Sequence, residues 1–342
     1  MAWDSIAEDW NALALRTPSP FLTHEWLSAW WVAFGRGRRL TVLVRDPSGA
    51  LVAGALLARG PFGGVYAPVN GHSGEWDVVA RDDGARDELW NRIVALDAPV
   101  TMFGRLKDDR PARAALVAAG RRIHESHEPS SPYLALPRTF DELLRSRSRK
   151  LRSQVGNSRR RLERQGRVRF RMTSGGARLE ADLDAFLRVE ASGWKARNGT
   201  AILSAPHVER LYRDFARGAA ERGWLRLYLL ELDGTPIAGN LGCAIEGCGF
   251  SIRSGFDEVH AAYSPGLIVG AEVLSASIEE GMREYDFLGA PDPHKLRWTS
   301  ELRPRTNLRG FRGAAGLPSE AYRRALRPML KRGRDRIQQL RS

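Results

Sequence analysis

The stretch Arg253–Lys295, RSGFDEVHAAYSPGLIVGAEVLSASIEEGMREYDFLGAPDPHK, decides the reading of this chain. It reads as a strand, a loop, a helix, a second strand and a closing loop. Ser264 is placed to cap the helix, Pro265 suits the first helical position because its missing N–H has no partner there, and Gly266 leaves the opening turn bare. Leu267, Ala271, Leu274 and Ile278 fall on one apolar stripe, and Gly281 can close the helix in a left-handed cap. The free N–H groups and the positive dipole end at such a start favour an anion by about 0.3–1 kcal/mol when exposed and up to about 2 kcal/mol when partly buried. Most helices that pack on a sheet nevertheless leave this end in water, so the anion reading depends on what surrounds it.

Length and composition allow two packed bodies. The chain has 342 residues, 43% of them hydrophobic, which is ordinary for globular cores. No apolar run approaches the ~20 residues of a membrane helix. The opening MAWDSIAEDW lacks a basic n-region and an apolar core, so no secretory signal is expected and the expected location is the cytoplasm. Cys243 and Cys248 flank an expected two-residue turn at Glu246-Gly247, which puts them out of register for a disulfide, and no nearby His completes a zinc set; no metal is expected. The formal charge of +13 is uneven, since 138–171 and 303–342 carry +10 each, leaving a net acidic remainder. Such segments are either solvated helix faces or surfaces for an anionic partner: a cofactor phosphate, an acidic polymer, RNA or a lipid surface.

Taken in order, Trp3, Ile6, Trp10 and Leu13 make a helical stripe, and HEWLSAWWVAFG a second helix capped by Thr23. LTVLVRD and ALVAGALLA form a hairpin about Pro47-Ser48-Gly49, and helices come next near 87–96 and 110–119. His72 and Asp77, in NGHSGEWD, either line a groove or sit in a glycine-rich surface loop. A basic helix begins at Phe140 with a thin apolar stripe broken at Gly156. VRFRM is a strand, and helices are expected over 183–195 and, started by Ser204, over 203–222. WLRLYLLEL and TPIAGNLGCAI form strands about Asp233-Gly234, CGFSIRSGF continues the sheet, TNLRGFR is a last strand, and a basic helix kinked at Pro328 ends the chain, either docked on the body or on an anionic membrane.

Several of these residues carry a resemblance. Tyr263-Ser264-Pro265-Gly266, Gly281, Tyr285-Asp286-Phe287, Lys295 and Trp298, with Leu162-Glu163, Gly166, Trp194-Lys195, Leu232-Asp233-Gly234 and Pro236-Ile237-Ala238 upstream, resemble the pattern of BioF2-like (CelD-like) acetyltransferases. These are GNAT-superfamily enzymes related to FemAB-type aminoacyl transferases. His294 stands where that pattern has an aromatic residue. The resemblance implies an α+β fold of tandem GNAT-like domains, mostly antiparallel mixed sheets flanked by helices, the first degenerate because it lacks a Tyr-Ser-Pro-Gly match. The expected domains are 1–137, 138–315 and a basic helix over 316–342. It also implies acetyl-CoA or another acyl-CoA as co-substrate, with pantetheine along Phe250–Gly255, including Ser254, and pyrophosphate over Ser264, Pro265, Gly266 and Leu267 beside Tyr263.

Transfer of an acyl group to an amine also needs a route for a proton. Asp286, at the end of the second strand, and Glu190, one turn before Trp194, are rival candidates for general base, and Tyr285 or Tyr263 could reprotonate the leaving thiolate. Lys195 and Lys295, expected to stay charged as exposed lysines, suit an acidic acceptor or developing charge, and Trp194 and Trp298 are walls of the acceptor groove or plain core. The acceptor implied by the resemblance is the amine of an amino sugar or cell-envelope (polysaccharide) precursor. Two other readings stand beside it. One is an aminoacyl transferase drawing on charged tRNA along the basic helix of 145–169; the other is a non-catalytic binding protein that keeps the fold.

Overall fold

A computed structural model describes residues 3–60 and 62–313, so the basic helix expected over 316–342 lies outside the described residues. In chain order the elements are α1 (Ala7–Ala14), α2 (His24–Phe34), β1 (Arg38–Arg45), β2 (Leu51–Arg59), β3 (Val65–Tyr66), β4 (Val79–Ala80), α3 (Asp83–Ala95), β5 (Val100–Leu106), α4 (Arg110–Ala118) and β6 (Arg122–Ala135). Then come α5 (Phe140–Arg145), α6 (Arg149–Glu163), β7 (Val168–Thr173), α7 (Leu179–Glu190), α8 (Trp194–Arg197), α9 (Pro206–Glu221), β8 (Leu225–Leu232), β9 (Thr235–Ile245), β10 (Cys248–Phe256), α10 (Pro265–Glu279), β11 (Glu284–Asp286), α11 (Pro293–Leu296) and β12 (Leu302–Phe311). This is the expected α+β class, with mixed and mostly antiparallel sheets flanked by helices.

The described residues form two compact units, one of 3–35, 70–75 and 128–305, the other of 36–60, 62–69, 76–127 and 306–313. Contacts therefore do not cluster along a linear boundary near residue 137, because α1 and α2 are built into the larger unit. The reason is local. Trp26 on α2 is fully buried against Phe21 and Phe215, the latter at 5.0 Å between ring centroids, and Arg222 holds Glu8 and Glu25 at 2.7 Å.

In the larger unit β7, β8, β9 and β10 are antiparallel, β10 pairs with β11 in parallel, and β11 pairs antiparallel with Tyr133–Ala135 of β6. The turns at Asp233-Gly234 and Glu246-Gly247 each place both residues at positive φ, as two-residue hairpins of this twist require. Their register sets Cys243 opposite Phe250 and Cys248 opposite Ile245, and both cysteines are free. One face of this sheet is covered by α10, whose Leu267, Ala271, Leu274 and Ile278 join Leu151 and Leu162 of α6 in one buried cluster. The basic run divides earlier than its glycine suggested. It breaks between α5 and α6, where Ser148 caps α6 by accepting from the Leu151 N–H, and Gly156 lies inside a continuous helix.

Other boundaries moved for equally local reasons. Helix α9 starts at Pro206 rather than at Leu203, because Ile202–Ser204 form a separate short 3-10 turn, and α7 ends at Glu190, four residues short of α8. In the smaller unit β1, β2 and β3 are antiparallel and β3 runs parallel to β5, so each unit has a parallel strand pair bridged by a helix. Their helix starts differ: Asp82 caps α3 by accepting from the Ala85 N–H and Asp83 comes directly after it, putting negative charge where an anion would otherwise sit.

Trp26→Ala should cost about 3–5 kcal/mol, since it empties a fully buried aromatic site in the larger unit. Urea denaturation followed by tryptophan fluorescence checks this; a loss under about 1 kcal/mol would mean that α2 is not built into that unit.

Candidate active site

The site begins where two strands separate. β10 and β11 pair only at Cys248–Glu284, Gly249–Tyr285 and Phe250–Asp286. Beyond Phe250, β10 continues to Phe256 paired with β9 alone, with a register shift between Ser251 and Arg253, while β11 ends at Asp286. The segment Ser251–Phe256, which includes Ser254 and Gly255, thus keeps backbone groups along one edge that no strand takes up. Gly255 is required here: a Cβ would stand 2.6 Å from the Glu190 Cα.

From β10 the chain passes through a 3-10 turn, Glu258–Tyr263, to Ser264. Ser264 does not cap α10 with its side chain, contrary to expectation, because it adopts a left-handed conformation at φ 55° and ψ 51°. Its carbonyl instead accepts from the N–H groups of Leu267 (2.9 Å) and Ile268 (3.2 Å). Pro265 has no N–H, and among the described residues the Gly266 N–H has no partner, so the mouth of α10 presents one free donor with the dipole behind it. A cleft of about 360 Å³ opens there, lined by Ser264 and Leu267 and by Gln154, Asn157, Ser158, Arg161 and Arg297. Arg161 lies 5.9 Å from the centre of the Tyr263 ring, and neither Arg161 nor Arg297 has a carboxylate partner among the described residues. The basic run therefore brings part of its charge to the helix mouth. Neighbouring Arg159, by contrast, is neutralised by Glu163 and Glu272.

On the α7 side of β10 lies a second set of groups. Glu190 is buried and both its oxygens are engaged: Oε1 accepts from Lys195 Nζ at 3.0 Å and Oε2 from the Ile202 N–H at 2.9 Å. Lys195 Nζ also donates to the Ser254 carbonyl, past the last pairing of β10 with β11. Lys195 is not an exposed lysine; its side chain is 15% accessible. Burial pushes its pKa below the ordinary value, with the positive charges of Arg253 and Lys295 adding to the shift and Glu190 opposing it. Arg253 donates through Nε to the Tyr212 hydroxyl at 2.7 Å and through NH2 to His72 Nδ1 at 3.1 Å. Tyr212 is buried, which raises its pKa and keeps it protonated. His72, one of the two loop residues picked out in the sequence, thus belongs to a built cluster; Arg161, Arg297, Tyr212 and Arg253 carried no motif that singled them out.

The remaining expected site residues are bound into the framework. The Asp286 carboxylate is buried, accepting from Ser131 Oγ at 2.7 Å, the Leu288 N–H at 2.8 Å and Arg303 at 3.1 Å, with Arg305 at 3.7 Å. Tyr285 is packed against Gly249 in the core, where burial raises its pKa strongly. Lys295 clasps the loop before it, donating to the carbonyls of Leu288 (2.8 Å) and Ala290 (3.0 Å) and pairing with Asp292 at 3.1 Å. Trp298 is core, 3% accessible among the residues under α10, and its carbonyl accepts from Arg147. The Trp194 side chain lies outside the described residues; its backbone opens α8.

The fold around the site agrees with the comparisons. Residues 149–296 match the family model of the acetyltransferase (GNAT) domain. No curated protein matches the chain. Solved structures similar to it include FemX, with 13% identity, a TM-score of 0.63 and coverage of 95% of this chain and 98% of that one. Another, from Agrobacterium fabrum, is described as the C-terminal domain of a putative lysylphosphatidylglycerol synthetase (15% identity, TM-score 0.59, coverage 94% and 97%). A third, from Bacteroides thetaiotaomicron, is a conserved protein of unknown function (13% identity, TM-score 0.60, coverage 91% and 98%). At these identities the likeness is one of fold. The GNAT-matched segment spans α6 through α11 and so contains the parting strands, the Glu190–Lys195 pair and all of the cleft lining except Arg297. Among the described residues no group of three or more His, Cys, Asp or Glu could hold a metal, and no helix is long and apolar enough to cross a membrane.

Lys195 gives the site a pH dependence. Its folded pKa lies below the 10.5 of a free lysine side chain, so between the two values the unfolded chain binds more protons and stability rises with pH. The double variant Glu190→Gln, Lys195→Met should flatten this alkaline rise in Tm; an unchanged slope would show that the shift does not arise at this pair.

Proposed function

We propose that the chain is an acyl-CoA-dependent N-acyltransferase of the BioF2-like (CelD-like) kind, working in the cytoplasm on the amine of an amino sugar or cell-envelope precursor. The observation that carries the reading is the conjunction of an open edge on β10 with an uncapped α10 mouth flanked by Arg161 and Arg297. The Gly266 N–H and the two guanidinium groups would hold a diphosphate, and backbone groups of Ser251–Phe256 that no strand takes up would pair with the amides of a pantetheine arm. Acyl-CoA would supply an acyl group activated as a thioester.

Within this reading the protein's own groups do the following. Lys195, whose pKa burial and nearby cations lower, would take a proton at Nζ from the incoming amine, and Glu190 would hold that ammonium in place. Asp286 instead fixes the end of β11 through its bonds to Ser131, Leu288 and Arg303. The reading of a charged-tRNA acyl donor draws on the other exposed arginines of α6, and it separates from ours by what binds.

Isothermal titration with acetyl-CoA tests the donor. Wild type should bind, and Arg161→Glu with Arg297→Glu should weaken binding at least tenfold, about 1.4 kcal/mol. Gly266→Glu should do the same, since its Cβ would already stand 3.2 Å from the Phe256 ring and its carboxylate would face the phosphates. Failure of any acyl-CoA to bind, together with salt-sensitive tRNA binding lost in the arginine variants, would replace this donor with charged tRNA.

A further inference from the structure

We infer that the acceptor carries an oxyanion, a carboxylate or a phosphate, beside its reacting amine, and that Arg253 receives it; this rests on the acyl-transfer reading. Several sheltered arginines of the larger unit meet at least two carboxylates, while Arg226 meets Glu280 alone and Arg147 is held by the Trp298 carbonyl. Arg171 pairs with Asp182 and Glu231, Arg213 with Asp184 and Glu209, Arg303 with Glu284 and Asp286, and Arg305 with Glu75 and Asp286. Arg253 is half-buried and has no carboxylate partner among the described residues. The two groups that hold it are not carboxylates: its Nε–H donates to a buried tyrosine hydroxyl, and NH2 donates to His72 Nδ1.

A permanently charged guanidinium taken partly out of water without a counter-ion is unfavourable unless something charged completes it. Two partners fix the plane of the guanidinium, so its unused N–H groups have a set orientation, as a bidentate oxyanion site needs. The position suits an acceptor. Arg253 lies on β10 just past the parting from β11, adjacent in sequence to Ser254, whose carbonyl binds Lys195. Glu190, beside Lys195, is already committed to that lysine and to the Ile202 amide. Arg253 would thus set specificity, choosing anionic amines over neutral ones, while Lys195 handles the proton.

Two measurements test this. With the donor site saturated by CoA, thermal unfolding of wild type and Arg253→Gln is followed against inorganic phosphate and, separately, succinate. At least one anion should raise the wild-type Tm and neither should raise that of Arg253→Gln, and which one acts distinguishes a phosphate from a carboxylate acceptor. No rise in wild type, or an equal rise in both proteins, overturns the proposal. The CoA titration reads the donor independently; if CoA does not bind, the same anion series on the Arg161→Glu, Arg297→Glu protein still reads Arg253 alone. In steady-state assays with the pairs glucosamine 6-phosphate and glucosamine, or β-alanine and propylamine, the anionic member should have a KM at least tenfold lower. Arg253→Gln should raise that KM at least tenfold with kcat within threefold and the acetyl-CoA KM unchanged, and Arg253→Lys should recover part of the loss. Equal KM values within a pair that is turned over, or an equal effect of the variant on both members, would refute it.

Discussion

The site depends on one constraint, the end of strand pairing after Phe250 and Asp286. Three parallel pairs hold β10 to β11, and then β10 continues with a neighbour on one side only. Unused backbone donors and acceptors are costly when shut away from water and are normally paired, so an edge left open inside a sheet is a place where a ligand can complete the ladder. The segment joining β10 to α10 keeps that edge open. The left-handed Ser264 turns the backbone from the 3-10 turn into α10 and leaves the helix mouth without a side-chain cap. The strain of a non-glycine residue in that region, about 1–2 kcal/mol, is offset by the packing of α10 on the sheet.

Charge is sorted around this opening. Acids of the framework are consumed by arginines: Asp286, Glu284 and Glu75 by Arg303 and Arg305, and Asp182 and Glu231 by Arg171. Among the described cations without a carboxylate partner are Arg161 and Arg297 at the helix mouth and Arg253 on β10. Such a distribution favours anions at the helix mouth and beside β10. The smaller unit shows the contrast, since the aspartates that start α3 would repel a phosphate from the corresponding place.

Much of this was legible in the sequence. The hairpins at Asp233-Gly234 and Glu246-Gly247, the Thr23 cap of α2, the stripe of α10 and the bare turn at Pro265-Gly266 come from local rules that act over a few residues. Chemistry that depends on distant partners was not legible. Asp286 looked like a free carboxylate at a strand end until Ser131, Arg303 and Arg305 were brought to it from elsewhere in the chain. Lys195 read as an exposed cation because nothing local shows that Glu190 and β10 enclose it. Tyr212 and His72 lie 140 positions apart, and only the fold makes them one cradle for Arg253. Place in the fold also overrode linear order for α1 and α2, since the aromatic face of α2 packs on α9.

The central claim is that the Gly266 amide grips the diphosphate of an acyl carrier, and the resonance of that amide in an amide proton–nitrogen correlation spectrum tests it most directly. On titration with CoA the Gly266 N–H should shift downfield and saturate with the binding isotherm, whereas acetyl-pantetheine, which lacks the diphosphate, should leave it in place. A Gly266 resonance that stays unmoved while CoA binds, or that moves equally with both compounds, would contradict the account.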